Sequence, residues 1–279
     1  MRLNEHTAVS SSRLLLVPYD AHHVPTYHEW MADPAIQEAT ASEPLTLEEE
    51  YENQVSWRTS GDKLTFILCL TENKNEPSSS PSSSRLMGTA QAGVVRAGQA
   101  DAPERMIGDI NLFLTPWDEV DTSDDDGGGG ATGDVSHVNG EIDIMIASPA
   151  HRRLGLGSEA VTALLRYIAQ HAREILAEYA AFTAGTSSST SKGQHQEQEQ
   201  EQQEQQQYIL KDLVAKINAS NEGSIALFKR LGFRQRGEVN YFGEVQLVLE
   251  DFGGKAADIK DERSGAAHRE LSWDRTGLN

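Results

Sequence analysis

Two short segments of the chain place chemically useful residues where a strand meets a helix. The first, IDIMIASPAHRRLGLGS (142–158), reads as an apolar strand, a glycine-containing turn and the start of a helix. The first backbone N–H groups of a helix have no partners, and with the helix dipole they form a site for anions. Gly155 and Gly157 carry no side chain to obstruct a phosphate, and Arg152 and Arg153 place positive charge beside it. This pattern predicts a phosphate-binding turn.

Alone, R-x-x-G-x-G is a weak signal, because a strand–helix connection with surface arginines also fits it. The Walker A sequence GxxxxGK[ST] is absent, and Arg152 occupies the first glycine position of a dinucleotide fingerprint. The second segment, NASNEGSIALFKRLGF (218–233), follows a later strand. Its spacing predicts an amphipathic helix over 221–231 that ends at Gly232.

Together, the two segments resemble the GCN5-related N-acetyltransferase (GNAT) superfamily. Its pattern is R-x-x-G-x-G and then, after a strand, N-x-x-[SA]-x-x-L-[FY]-x-x-x-G-F. The matching residues are Arg152, Gly155, Gly157, Asn221, Ser224, Leu227, Phe228, Gly232 and Phe233. A closer resemblance, to N-acetyltransferase 9-like proteins, rests on MRLNEHT, LVPYDAHHVPTYHEWM, ASEPLTLEEEYENQ, GDINLFLT and GEIDIMIASPAHRRLGLGSEAV.

The resemblance implies a site for acetyl-CoA in a V-shaped gap between two parallel strands. The pantetheine arm would pair with the first strand as an added strand, and the pyrophosphate would lie on the turn. Asn221 would meet the pantetheine or order the end of the second strand, and a helix N-cap is compatible with either role. The residues that the resemblance implies in cofactor binding are Met145, Ile146, Ala147, Arg152, Arg153, Leu154, Gly155, Leu156, Gly157, Ser158, Asn221 and Phe228.

The groups that would move protons during acetyl transfer are harder to identify. Many superfamily members have a Tyr where this chain has Phe228, and ribosomal-protein alanine acetyltransferases have a Glu where it has Lys216. The remaining candidates for a general base are Glu141 and Asp143 on the strand that lines the gap, although each also fits a solvated strand position. Tyr241 is a further candidate hydroxyl. Because a thiol has a pKa of about 8.5, its thiolate can leave without an acid.

The resemblance implies transfer of acetyl from acetyl-CoA to a protein amine, most simply an α-amino terminus, and suggests tubulin as the acceptor. Two alternatives stay open. One is a weakly active or non-catalytic protein that binds acyl-CoA or the cytoskeleton, which the absent Tyr and Glu favour. The other is an acetyltransferase for small-molecule amines. A fold alone does not choose among these functions.

The order of the surrounding elements predicts an α/β fold. Strands are predicted at 14–18, 65–71, 106–116, 141–147, 212–217, 233–239 and 245–249, and helices at 23–31, 45–60, 157–179 and 221–231. This order predicts a single domain with a mixed sheet of about seven strands flanked by helices. The domain is expected at 1–250, with low-complexity insertions at 72–105, 117–139 and 181–207 and a disordered tail at 251–279.

The composition argues against several classes of protein. With 24 basic and 43 acidic residues, and a net charge of −19, the chain lacks the basic surface that binds nucleic acid or anionic membranes. The sequence shows no membrane-spanning run and no secretory signal, so we expect a cytoplasmic location, with the nucleus as the alternative. The single cysteine, Cys69, argues against a disulfide framework and a Cys-rich zinc site. The acidic, glycine-rich stretch at 121–134 lacks EF-hand spacing, so no metal is expected.

Overall fold

A computed structural model describes residues 1–71, 93–117, 135–188, 207–255 and 268–278. The strands are β1 (Thr7–Ser10), β2 (Leu14–Pro18), β3 (Lys63–Leu70), β4 (Val94–Arg96), β5 (Met106–Pro116), β6 (Val135–Ile146), β7 (Gln207–Asn218), β8 (Arg234–Arg236), β9 (Glu244–Leu249) and β10 (Arg269–Asp274). The helices are α1 (Val24–Met31), α2 (Pro34–Thr40), α3 (Leu47–Thr59), α4 (Leu156–Ser188) and α5 (Glu222–Arg230). Short 3-10 turns lie at Ala21–His23, Pro103–Arg105 and Pro149–His151.

The strands of the described residues form one mixed, 10-stranded sheet in the order β4-β10-β1-β2-β3-β5-β6-β7-β9-β8. Neighbouring strands are antiparallel except for β10 with β4 and β6 with β7, which are parallel. The predicted number of about seven strands is therefore wrong, because β1, β4 and β10 were not predicted. These strands have 4, 3 and 6 residues. Such short runs give too few alternations of apolar and polar residues to stand out from polar surroundings.

The strand β10 lies in the segment that was expected to be a disordered tail, so that prediction is wrong for Arg269–Asp274. Leu271 and Trp273 are buried, and the strand pairs with both β1 and β4. The Trp273 indole N–H donates to Asp20 Oδ2 at 2.9 Å, and Arg275 binds both oxygens of that carboxylate at 2.8 and 3.0 Å. Alternate buried side chains and a bidentate ion pair hold this strand to the sheet.

The predicted insertions overlap ordered elements at their ends. The structure places β4 and a 3-10 turn within 93–105, the start of β6 at 135, the end of α4 at 188 and the start of β7 at 207. The remaining parts of these predictions, at 72–92, 118–134, 189–206 and 256–267, lie outside the described residues. The assignment of 1–250 to one catalytic domain stays a prediction.

The buried carboxylate of Asp101 anchors the segment after β4 to the beginning of the chain. Its Oδ2 accepts from Nε2 of His22 and His23 at 2.5 and 2.6 Å, and its Oδ1 accepts from the Gly98 N–H at 2.6 Å. Burial lowers the pKa of His23, whose Nδ1 accepts the Asp20 N–H at 3.0 Å. The proton of this neutral ring is therefore on Nε2, and a protonated nitrogen does not bind a metal. The tautomer favours a hydrogen-bonded clamp over a cation site.

The strand β2 shows how the sheet separates two cores. All of its residues are buried. Leu14 and Leu16 pack in the core that contains α4 and α5, whereas Leu15 and Val17 pack in the core that contains α1. This division follows from the alternation of side chains along a strand.

Candidate active site

The parallel strands β6 and β7 separate part-way along their length. Their pairing begins at Val135 and stops at Glu141↔Val214. Beyond this point β6 continues against β5 as far as Ile146, whereas β7 continues against β9 as far as Asn218. Over these residues the facing edges of the two strands are not paired with each other. The result is the V-shaped gap that the resemblance implied.

The first arginine of the turn braces the end of β6. Arg152 Nε donates to the carbonyl of Ile146, and its Nη2 donates to the carbonyl of Ala147, both at 2.9 Å. These bonds fold the guanidinium back onto the strand. The Arg152 guanidinium is therefore anchored to the end of β6, and its contribution to phosphate binding stays a prediction.

The three β6 residues predicted to pair with pantetheine are not equivalent. The Ala147 N–H donates to the Ile107 carbonyl of β5 at 2.8 Å. The Met145 carbonyl lies against Gly108 of β5, where an added Cβ would be 1.8 Å from its oxygen. Because successive residues of a strand direct their main-chain groups to opposite edges, Ile146 faces the gap, whereas Met145 and Ala147 face β5.

The turn after β6 ends in a helix start with unpaired backbone donors. Arg153 and Gly155 have φ angles of 61° and 80°, and α4 begins at Leu156. The Glu159 N–H is the first to bond one turn back, to the Gly155 carbonyl at 3.1 Å. The N–H groups that precede it in the helix, and so have no helical acceptor, are those of Leu156, Gly157 and Ser158. They lie at the positive end of the dipole, where an anion is favoured.

The two glycines of the turn serve different purposes. Gly155 supplies the left-handed φ angle, and the nearest atom to an added Cβ would be Arg13 Nη2 at 3.4 Å. Gly157 has no such angle; an added Cβ there would come within 2.8 Å of Leu227 Cδ1 on α5. Gly157 therefore leaves room for the Leu227 side chain between α4 and α5, a contact that the sequence did not reveal. Gly155 is needed for the turn itself.

Arg13, in the turn between β1 and β2, is the residue of this region that sequence reasoning missed. Its Nε and backbone N–H donate to the two carboxylate oxygens of Glu159 at 2.9 and 2.7 Å, and its Nη1 donates to the Leu154 carbonyl at 2.8 Å. Burial opposes ionisation of Glu159, but these bonds and one from Ser11 hold its pKa below the usual range. Half of the Arg13 side chain is exposed beside the turn. The contact spans about a hundred and fifty positions of sequence, so no local pattern could indicate it.

Glu141, one of the two predicted bases, is engaged in an ion pair. Lys216 Nζ donates to Glu141 Oε2 at 2.7 Å. The lysine stands where some relatives have a glutamate, so it removes one candidate base and binds the carboxylate of another. The ion pair holds this carboxylate to β7, which makes Glu141 the weaker candidate for the base.

Asp143, the second predicted base, has a raised pKa. Its side chain is exposed, yet surrounding protein desolvates the carboxyl enough to raise its pKa to about 7. The negative charges of Glu141, Asp109 and Glu244 raise the pKa further, and Lys216 opposes them. A base whose pKa lies near neutral pH, on the strand that borders the gap, is suited to taking a proton from an amine.

The second motif has a structural role in the helix that follows β7. Asn221 Oδ1 accepts the Ser224 N–H at 3.1 Å and so caps α5. Phe228 is only 2% exposed, and its ring packs edge-on against Phe233 at 5.0 Å. The ring belongs to the core, and its implied contact with the cofactor stays a prediction. Tyr241 is 97% exposed in the turn between β8 and β9.

A model of the acetyltransferase (GNAT) domain matches residues 13–234. This chain belongs to the GNAT family. The match includes both motifs, the gap and the two carboxylates of β6. The GNAT chain is therefore an acetyltransferase, and in its described part no helix has the length and apolar composition that a bilayer crossing requires.

The relatives of this GNAT chain carry related names. An N-acetyltransferase 9-like protein of Schizosaccharomyces pombe is 38% identical over 89% of this chain and 98% of its own length. The α/β-tubulin-N-acetyltransferase 9 of Homo sapiens is 34% identical over 89% of this chain and 86% of its own length. Among solved structures, a GNAT-family acetyltransferase from Bacillus anthracis has a TM-score of 0.48 and 13% identity, covering 88% of this chain and 98% of that one.

Proposed function

We propose that this GNAT enzyme transfers the acetyl group of acetyl-CoA to the α-amino terminus of a protein. The observation that carries the proposal is the gap between β6 and β7, which has backbone donors at its outer end and Asp143 on the strand that forms its side. Relatives from human, mouse and fly are named α/β-tubulin-N-acetyltransferase 9. Tubulin is therefore the first acceptor to test.

The turn has the properties that the diphosphate of coenzyme A requires. Leu156, Gly157 and Ser158 offer N–H groups without helical acceptors, and the left-handed turn at Gly155 leaves room before them. Arg153 places positive charge beside this turn in a chain whose net charge is −19, whereas the charge of Arg13 is paired with Glu159. The main chain of Ile146 would pair with the pantetheine arm along the unpaired edge of β6.

Acetyl transfer requires the protein to position the two reactants and to accept one proton. Acetyl-CoA supplies a thioester; a C–N bond to the amine forms, the C–S bond breaks, and the sulfur leaves as a thiolate. Asp143 accepts the proton that the ammonium group must lose before it can attack. Backbone N–H groups of β6 that face the gap would polarise the thioester carbonyl of acetyl-CoA. The buried position of Phe228 agrees with a mechanism in which no side chain protonates the thiolate.

The charges around the gap suit a cationic acceptor. Asp143, Glu141 and Glu244 are close enough for their charges to interact, and Asp109 lies behind them. An α-ammonium group has a pKa of about 8, only one unit or so above that of Asp143, so proton transfer between them is nearly balanced. A lysine ammonium, at about 10.4, would transfer its proton less readily. The difference favours an α-amine over a lysine side chain.

The test is an acetylation assay with the purified protein, acetyl-CoA and synthetic peptides, read by mass spectrometry. The peptides carry the N-terminal sequences of α- and β-tubulin, each with a free terminus and with a formylated terminus. We expect acetylation of free termini and none of the formylated peptides, including those that contain lysine. A polyamine in place of the peptides tests the small-molecule alternative.

Two results would contradict the proposal. Transfer to the polyamine but to no peptide would indicate a small-molecule acetyltransferase. Binding of acetyl-CoA with no transfer to any amine would indicate a protein that binds acyl-CoA without catalysis. The cytoplasmic location stays a prediction, which microscopy of the tagged protein would check.

A further inference from the structure

A row of polar side chains runs from Asp143 into the interior of the protein. Asp143 on β6 lies directly opposite Asn111 on β5, and Asn111 lies directly opposite Thr65 on β3. Directly opposed residues of antiparallel strands have their Cβ atoms about 4.5–5.5 Å apart on the same face of the sheet. Asn111 and Thr65 are 5% and 7% exposed, so the row leads from solvent into the core.

The next position along β5 on this face holds a buried carboxyl group. Asp109 is 2% exposed, and its Oδ2 accepts from Asn111 Nδ2 at 2.7 Å and from the Tyr27 hydroxyl at 3.5 Å. Burial raises the pKa of Asp109 to about 6, against the bonds from Asn111 and Tyr27. Among the described residues this carboxyl group has no salt-bridge partner, so its burial lowers the stability of the fold. No step of the proposed acetyl transfer uses it.

Two buried atoms of this row, Asn111 Oδ1 and Thr65 Oγ1, lack a hydrogen-bond partner among the described residues, and Asn111 is the one directly opposite Asp143. A buried acceptor without a donor costs stability. The carboxyl group of Asp143 is the directly opposite neighbour and, once protonated, gains an O–H that can be donated.

We propose that Asp109 and Asn111 are positioning residues for Asp143, which hold its carboxyl group and set the pH range over which it acts as a base. Asn111 contributes through its unpaired amide oxygen, which favours the protonated form of Asp143. Asp109 contributes through its charge, which disfavours a second ionised carboxylate nearby. The inference rests on the proposed function of Asp143, but its test does not require any acceptor.

Several charged groups near Asp143 affect its pKa, so the test must separate the effect of Asp109 from the effects of the others. Asp143 faces Glu141 on its own strand, Asp109 on β5, Lys216 on β7 and Glu244 on β9. The buried side of Asp109 faces Tyr27 of α1, Tyr19 before it and Glu50 of α3. Glu141 is ion-paired with Lys216, whereas Asp109 can be replaced by its amide without altering an ion pair of the described residues.

The experiment is a pH titration of carbon-13-labelled aspartate carboxyl groups by nuclear magnetic resonance, with the Asp143 signal assigned by its loss in Asp143→Asn. In the wild-type protein we expect two inflections in that signal, because neighbouring carboxyls titrate together. Asp109→Asn should leave one inflection, shifted down by about one pH unit for a charge about 7–8 Å away. Asn111→Leu should also shift the signal downward.

Thr65→Val is the matched control, because it alters the same row on the far side of Asn111 and is expected to leave the Asp143 titration unchanged. With an active preparation, the low-pH side of the pH profile of kcat/KM (its acidic limb) should shift together with the Asp143 carboxyl signal in each variant. A purely structural role would instead lower the rate at every pH. A single wild-type inflection, with no shift in Asp109→Asn, overturns the proposal. An absence of acetyl transfer overturns only the proposed function.

Discussion

The two sides of the gap are built from different parts of the chain. One side uses main-chain groups, and the other uses side chains. At the proposed cofactor side, the groups that would bind the ligand are backbone N–H donors of consecutive residues, arranged by a left-handed turn at Gly155. At the acceptor side, the groups that matter are side chains of β5, β6, β7 and β9, which meet only because the sheet brings those strands together.

The difference explains how each side can fail. A backbone site depends on conformation, so substitutions affect it through φ angles, steric access and added charge. A side-chain site depends on electrostatic neighbours, so substitutions affect it through protonation. The predictions below separate these two modes, beginning with the largest expected effect.

Replacement of the proposed base should have the largest effect on activity. Asp143→Asn keeps the shape of the side chain but cannot accept a proton. We expect kcat/KM near pH 7 to fall by about 10²–10⁴-fold, and the deficit to shrink as pH rises and the amine becomes neutral without help. A pH–rate profile of both proteins on a free N-terminal peptide measures this change.

The same variant should be more stable than the wild type at high pH. Since the folded pKa of about 7 exceeds the ordinary value for Asp, folding disfavours ionisation of Asp143. The loss of stability begins as pH rises above the ordinary value and is complete above the folded one. The melting temperature of Asp143→Asn relative to wild type should therefore rise between about pH 4 and 7. A constant difference would contradict the raised pKa, and equal rates near pH 7 would contradict the base assignment.

The cofactor side should be sensitive to charge at Gly155. Gly155→Asp places a carboxylate before the N–H groups of the turn, and Gly155→Asn places a neutral group of the same shape there. Both share the left-handed φ of 80°, which Asn and Asp tolerate better than most residues. Saturating acetyl-CoA, at about 100 times its Kd, should stabilise the wild type by about 2.7 kcal/mol.

In a thermal-shift assay we expect Gly155→Asp to lose most of this stabilisation and Gly155→Asn to keep more of it. Equal loss in the two variants would mean that steric access, rather than charge, governs binding. An unchanged shift in both would rule out the turn as the diphosphate site.

The cofactor side was predictable because its determinants are contiguous. A strand, a turn with glycine at one required position and a helix start can be recognised within 142–158 without knowledge of the fold. Even there, two residues make contacts that the local sequence did not indicate. Arg152 braces Ile146 and Ala147, and Gly157 makes room for Leu227; both contacts depend on tertiary structure.

The acceptor side was only partly predictable because its determinants are distant in sequence. Asp143 could be proposed from its place on the strand, but its difference from Glu141 depends on Lys216 and Asp109. The strand β10 was missed for the same reason. Its two buried residues, Leu271 and Trp273, form a pattern only when paired with β1.

The core position of Phe228 gives a prediction about stability. Phe228→Tyr adds a hydroxyl to a ring that is 2% exposed and packed against Phe233. An unsatisfied buried hydroxyl costs about 1–3 kcal/mol, so we expect a lower free energy of unfolding in urea and no gain in turnover. Phe228→Leu, which adds no polar group, is the control. A faster rate in Phe228→Tyr at unchanged stability would show that the new hydroxyl reaches the leaving sulfur.

The smallest expected effect, opposite in sign to that of Asp143→Asn, comes from Glu141→Gln. This change removes a charge that raises the pKa of Asp143 and releases Lys216, whose charge lowers it. Both consequences favour ionised Asp143, so the acidic limb of kcat/KM should move to lower pH. The rate at pH 6 should then rise a few-fold, with little change on the plateau.

If Glu141 were the base instead, Glu141→Gln would lose about 10²–10⁴-fold near neutral pH. The two assignments therefore predict opposite signs from a single profile. Lys216→Met provides the complementary variant: it removes the charge that lowers the pKa of Asp143, so the acidic limb should move to higher pH. Opposite displacements in these two variants would assign the acidic limb to a group that interacts with both charges, as Asp143 does.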